Sequence, residues 1–168
     1  MMLCELSIKA LRRVATLPLS RFFLSTNVNP YFMRINESFA RQGLMHLLGA
    51  KLQSVDRGLC NIELPYSEKI TQQQHNFHGG AIGAIADNAA GYAALSVAPE
   101  NMEVVTVEYK INFLASLSGG KLIAKGKVLK SGKRLIVTSC DVVHVGENDK
   151  QTLCAVLQQT LVPVEKKY

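Results

Sequence analysis

The chain has few of the signals that mark a special class of protein. No apolar run free of polar groups reaches the roughly 18 residues that a membrane-spanning helix needs. The nearest stretch, 79–98, is rich in Ala and Gly, holds Asp87 and Asn88, and reads as a buried core helix. There is no CxxC pair. Cys4, Cys60, Cys140 and Cys154 are scattered, which removes zinc-type spacing and argues against a disulfide framework in a chain of 168 residues. They read as small apolar residues in a reduced compartment. Internal repeats and low-complexity tracts are absent. With 48% apolar and 19% charged residues, the composition is that of a globular chain and excludes disorder.

Acidic residues are also missing from two places. Between Glu108 and Asp141 there is none, while Lys121, Lys125, Lys127, Lys130, Lys133 and Arg134 form a basic stretch. Aromatic residues are not interleaved with these cations, so nucleic acid is not expected as a partner. A solvated strand face that discourages edge pairing accounts for most of them. The first 27 residues hold one acid, Glu5, against Lys9, Arg12, Arg13 and Arg21, with Ser and Thr between. Arg-rich, hydroxyl-rich and acid-poor is the pattern of a mitochondrial transit peptide. Spaced as a helix, Leu6, Ala10, Val14 and Leu17 fall near one face. Residues 1–27 are thus expected to be a targeting leader to the mitochondrial matrix, with the cytoplasm as the location if they are not. The domain is expected over 28–168.

Asn29-Pro30 marks the boundary. The spacing of Phe39, Leu44, Leu47 and Leu48 predicts one helix over 32–48. Two strands, 50–55 and 59–64, are joined at Asp56-Arg57-Gly58, and Pro65 ends the second. A polar connector over 66–77 leads to a long helix from Gly79 to Val97, stopped by Pro99. Three or four strands follow. In the first, 103–114, alternation puts Val105, Val107, Tyr109, Ile111 and Phe113 on one face and Thr106, Glu108, Lys110 and Asn112 on the other. The order is that of an α+β domain with one antiparallel sheet. The central helix has almost no polar face, so it must be covered all round. A curved sheet wrapped about one long helix, the hot-dog fold, meets that need.

Asp87 is the one charged residue in 79–98. Burying an unpaired carboxylate costs several kcal/mol, so it must find donors or take a raised pKa. Such a carboxylate is a candidate for chemistry. His78-Gly79-Gly80 opens the same helix. Glycine there lets a ligand approach free backbone N–H groups, which with the helix dipole can hold an oxyanion. Gly79 and Asp87 are eight residues apart, about 12 Å along the axis. One chain cannot easily set both on one carbonyl, whereas two chains with helices side by side can. An obligate dimer with two composite sites follows.

The run from Thr71 through His78-Gly79-Gly80 and Asp87 to Ala94 resembles the PaaI-like branch of the hot-dog acyl-CoA thioesterases. So do Val105-Thr-Val-Glu-Tyr-Lys-Ile-Asn-Phe-Leu114 and the turn at Lys130-Ser-Gly-Lys133. The resemblance spans about 29–163. It implies hydrolysis of an acyl-CoA, with a medium, long or aryl acyl group, to free acid and CoA. Gly79 would supply the oxyanion-hole N–H. Asp87 would act as base on water or as nucleophile. Thr106 aligns with a hydroxyl that positions the water. Gln72 stands where several relatives have Asn, an exchange that keeps an amide donor. His78 would either assist at the carbonyl or fix the connector. His75, with His78 as a metal pair, lacks further ligands. No cofactor, metal or membrane insertion is implied, and the assembly would be a homodimer at least, rising to a homotetramer. The basic stretch could also help hold CoA phosphates at the rim. Two other readings stand beside this one. A hot-dog hydratase or dehydratase would use His78 and Asp87 for proton transfer at carbon. A non-catalytic acyl-CoA-binding protein would have no need for Asp87.

Overall fold

The computed structural model describes residues 29–167, so the leader expected at 1–27 and Cys4 lie outside the described residues. The N-terminal helix α1, Pro30–Phe39, starts where the Asn29-Pro30 boundary suggests. The Asn29 side chain accepts the N–H groups of Tyr31 and Phe32 at 3.0 and 3.2 Å. Its amide donates to the Val55 carbonyl at 2.6 Å, so one residue caps the helix and ties it to the sheet. Ile35 and Phe39, one turn apart, are buried.

The single helix expected over 32–48 is in fact two. After Ala40 the bonds tighten to i→i−3, from Arg41 N–H to Ser38 and from Gln42 N–H to Phe39, and the α-helix resumes as α2, Gly43–Leu48, which ends at Gly49 with φ +73. The period set by Ile35 and Phe39 explains the break. Continued unbroken, it would bring Gln42 and His46 to the core side. The break turns Met45 inward instead, where it is fully buried, and leaves Leu44 and Leu47 exposed.

The strands are β1 (Lys51–Asp56), β2 (Leu59–Pro65), β3 (Met102–Phe113), β4 (Lys121–Ser131), β5 (Ile136–Val145) and β6 (Gln151–Glu165). They form one antiparallel sheet in the order β1-β2-β4-β5-β6-β3. The long helix α3, Gly79–Leu95, lies against β2, β3, β4, β5 and β6. Its Ala residues, with Ile82 and Ile85, merge with Ile62, Leu64, Leu122, Val142 and Leu157 into the main core. The α+β hot-dog architecture read from the sequence is the one present.

Backbone contact sets how closely α3 rides on the sheet. Gly126 of β4 faces the middle of the helix, and a Cβ there would overlap the carbonyl oxygen of Ala89. One side of α3 is left half-buried, at Ala84, Asp87, Asn88 and Gly91. The all-round cover expected of this helix is therefore not complete among the described residues.

The alternation expected along β3 is overturned. Thr106 pairs with Leu161 and Glu108 with Thr160, so Val107 is an extra residue in the ladder. Thr106 bonds to Asp87 of α3, and the Tyr109 hydroxyl and Phe113 ring also lie against α3, beside Gly83 and Gly79. The bulge shifts the phase by one residue. Thr106 joins Tyr109 and Phe113 on the inner face, while Val105 leaves that face.

Adding one methyl at the tightest contact should be costly. Gly126→Ala is expected to lower the urea midpoint by the equivalent of about 2–3 kcal/mol with an unchanged m-value, since neither backbone can move aside alone. A midpoint within error of the parent would refute the close approach.

Candidate active site

Asp87 sits in the third turn of α3, on its half-buried side. Its Oδ1 accepts the hydroxyl of Thr106 at 3.0 Å and the side-chain amide of Gln159. The same amide reaches Thr106 Oγ1 at 2.6 Å. Helix α3, the bulged β3 and the neighbouring β6 thus contribute one side chain each to a closed polar triangle. Gln159 is fully buried. Burial raises the Asp87 pKa above the usual carboxylate value, and the bonds from Thr106 and Gln159 partly offset the rise. Both bonds fall on Oδ1.

At the start of α3 the geometry is different. His78 is the N-cap, and its Nδ1 accepts the Gly80 N–H at 2.8 Å. The neutral ring then carries its proton on Nε2. The carbonyl of His78 receives the N–H groups of Ala81 and Ile82. Among the described residues no group accepts the Gly79 N–H. Space at this position is tight: a Cβ on Gly79 would lie 3.3 Å from the Phe113 ring.

The connector before the helix is held firmly. The His78 N–H binds the Ile70 carbonyl, the Phe77 N–H binds the Leu117 carbonyl, and Phe77 stacks edge-on with Tyr66 at 5.3 Å. Gln72 donates its N–H to the Asn76 carbonyl, and its side chain pairs with Gln74. His75 adopts φ +60 and its ring pairs with Glu68 at 3.0 Å, on the surface.

The five residues singled out from the sequence therefore fall into two groups. Asp87 and Thr106 line one cleft of about 310 Å³, together with Asn88, Tyr92 and Glu103. Gln72 and Gly79 line a second of about 330 Å³, with Phe113 and Ser116. His78 touches the second group only through the helix cap. Gln159 escaped the sequence reading altogether. Its signal was an amide at an inward position of a strand whose other inward residues, Ala155, Leu157 and Leu161, are apolar. The cysteines take no part. Cys60, Cys140 and Cys154 are free and buried; burial pushes the Cys60 and Cys154 thiols up to about 12 and about 11, and Cys140 higher than its usual value.

Comparison with known proteins places this geometry. A family model described as the thioesterase superfamily matches residues 74–150. A thioesterase family protein from Silicibacter pomeroyi is similar in structure, with TM-score 0.78 and 32% identity, covering 81% of this chain and 99% of its own. The PaaI protein of E. coli shares the fold with TM-score 0.71 at 21% identity, over 80% of this chain and 93% of its own. A 1,4-dihydroxy-2-naphthoyl-CoA hydrolase from Listeria monocytogenes is 29% identical over 126 residues, which is 74% of this chain and 98% of that protein. The chain belongs to the thioesterase superfamily and has its hot-dog fold. Thioester hydrolysis is its class of reaction.

The raised pKa has a sign that can be checked. Between the usual carboxylate value and the raised one, the folded chain keeps a proton that the unfolded chain has lost. Stability therefore falls as pH rises through that window and stays lowered above it. Asp87→Asn should unfold at higher urea than the parent at pH 7, with the gap closing below the usual carboxylate pKa. Thr106→Val and Gln159→Leu each remove a donor to the charged form, so the Asp87 carboxyl carbon should titrate at higher pH in both by NMR. A titration that stays put in both variants would sink the triangle.

Proposed function

We propose that this protein hydrolyses acyl-coenzyme A thioesters at sites shared between two subunits. Asp87 of one chain acts as base on water, and the Gly79 N–H of the other holds the carbonyl oxygen. The observation that carries the reading is the separation of the two groups. They lie on one rigid helix about 12 Å apart along its axis and line different clefts.

A second copy would bring them together. Among the described residues β3 is an edge strand of 12 residues, far longer than β1 at the other edge, and an edge whose backbone is unpaired there invites a partner. Val105, Val107, Tyr109 and Phe113 along it are about half exposed. The half-buried side of α3 is also where Asp87 emerges. Two chains joined along β3 with their α3 helices side by side cover both surfaces and give two equal sites. A homotetramer would be a pair of such dimers.

In the reaction, the Asp87 carboxylate takes a proton from water as the oxygen attacks the thioester carbon. The negative charge moves to the carbonyl oxygen, against the Gly79 N–H and the positive end of α3. When that intermediate collapses, the C–S bond breaks and the thiolate leaves as the thiol with the proton held by Asp87. Thr106 and Gln159 keep the carboxylate turned and, by binding Oδ1, favour its ionised form. Gln72, in the cleft of Gly79, is the amide available to the carbonyl or water. The hydratase reading is less well supported, because His78 spends the Nδ1 lone pair on the Gly80 N–H and is left a donor. Coenzyme A as the thiol is supported by the name of the Listeria relative, a CoA-ester hydrolase. Residues 1–27 would direct the protein to the mitochondrial matrix, and a fluorescent fusion retained wholly in the cytosol would dismiss that.

Two measurements test the mechanism. Thiol release from an acyl-CoA panel should fall by at least about 100-fold in Asp87→Ala and in Gly79→Pro. The latter removes one N–H while His78, at ψ 134, already has the backbone that a following proline needs. The two inactive chains, unfolded together and refolded as a mixture, should recover activity, since mixed dimers hold one intact site. Unchanged rates in Asp87→Ala, or a mixture that stays inactive while forming heterodimers, would reject the scheme.

A further inference from the structure

Gln42, Tyr92 and Asn88, which line the cleft beside Asp87, all have partners. The Gln42 amide is given to the Tyr92 oxygen at 2.7 Å, the Tyr92 hydroxyl to Ser38 at 3.3 Å and the Asn88 amide to the Ala84 carbonyl at 3.0 Å. The unpaired groups lie one layer deeper. Among the described residues, Gln159 Oε1 and Thr138 Oγ1 are buried without a hydrogen-bond partner. Both residues are fully buried, and an unmet donor or acceptor away from water is costly.

The two belong to one place in the sheet. Thr138 of β5 stands directly opposite Gln159 of β6 in the ladder. Both face inward: Ile136, Thr138, Cys140 and Val142 alternate toward the core along β5, as Leu157, Gln159 and Leu161 do along β6. Side chains paired in this way have Cβ atoms about 4.5–5.5 Å apart. Ser139 Oγ, also without a partner, is one residue further on and faces the other side of β5.

The near end of the Gln159 amide is fully used. One N–H goes to Asp87 Oδ1 and the other to Thr106 Oγ1 at 2.6 Å. Asp87 therefore selects the end that faces it, since a reversed amide would set one acceptor against another. The far end, Oε1, is an acceptor with a donor standing across from it. We infer that Thr138 is a positioning residue for the hydrolysis proposed above: its hydroxyl, turned by rotation about the Cα–Cβ bond, donates to Gln159 Oε1, holds the amide in place and strengthens its bonds to Asp87 and Thr106. The inference rests on Asp87 being the base. Thr138 itself touches no substrate; it acts from β5 through β6 on a side chain of α3. Without its hydroxyl the bonds to the ionised carboxylate weaken, so Asp87 gives up its proton at higher pH.

The test follows kcat/KM against pH for thiol release from an acyl-CoA that the parent turns over. Activity should rise with pH as Asp87 loses its proton. Thr138→Val keeps the shape and removes the hydroxyl. Its acid limb should move up by about half a pH unit, a loss of about threefold on the limb, with KM unchanged. Thr138→Ser restores a hydroxyl and should bring the limb back. In a Gln159→Leu background the exchange to Val should move nothing further, because Thr138 acts through the amide. Glu103 and Tyr92, the other titratable groups that line the cleft, are common to all these chains, so the difference reads Asp87. The position of the limb does not depend on how much of a preparation is folded, and Thr138→Ala makes the same comparison if the Val variant does not fold. A limb that stays put in Thr138→Val, one that Ser fails to restore, or a shift of equal size in the Gln159→Leu background would overturn the inference and leave hydrolysis by Asp87 standing. A parent with no acid limb, or one that releases thiol from no acyl-CoA, would remove Asp87 as the base and this inference with it.

Discussion

The structure depends on how closely one helix can lie on a sheet. Gly126 lets the backbone of β4 meet the backbone of α3 at Ala89, with no side chain between them. A helix coated in Ala and Gly is a weak source of buried area per residue, but it can approach where a Leu-rich helix cannot. That short distance makes the polar triangle possible. Thr106 and Gln159 have short reaches, and a helix lifted by the width of one side chain would take Asp87 out of range of both.

The same constraint explains where chemistry can occur. Tight packing at Gly126 leaves no room between helix and sheet, and the two clefts described lie at the start of α3 and along its half-buried side. Gly79 is at one and Asp87 at the other. Asp87 is disfavoured as an ion by burial and favoured by its two donors, and the balance leaves its pKa raised. A carboxylate in that condition can accept a proton from water and return it to a leaving thiol, which a fully solvated one does poorly. The bulge at Val107 serves the same end: without it, Thr106 would point away from Asp87.

The N-terminal helices show how local pattern and global packing divide the work. Asn29 and Pro30 fix the start of α1 by chemistry that is local to the chain. The break after Ala40 is imposed from outside, by a core that takes Met45 and not His46. That break also sets Gln42 against Tyr92, 50 residues away, and gives the cleft its polar wall.

The sequence by itself determined the fold class, the succession of elements in outline, the long helix between Gly79 and Pro99, and the lone charge of Asp87 within it. These were legible because each is written locally: a 3.6-residue or two-residue period, a turn, a lone charge in an apolar run. Thr106 was found by resemblance, but alternation alone put it on the wrong face, since a bulge is a property of two paired strands and leaves no mark in one. Gln159 and Gln42 were not found, because an amide in a strand or between helices means nothing until its neighbours are known. Only the tertiary structure decided those, and only it could divide the site residues between two clefts. Separation in space depends on which strands pair and how closely the helix rides on them, and no window of sequence contains both partners.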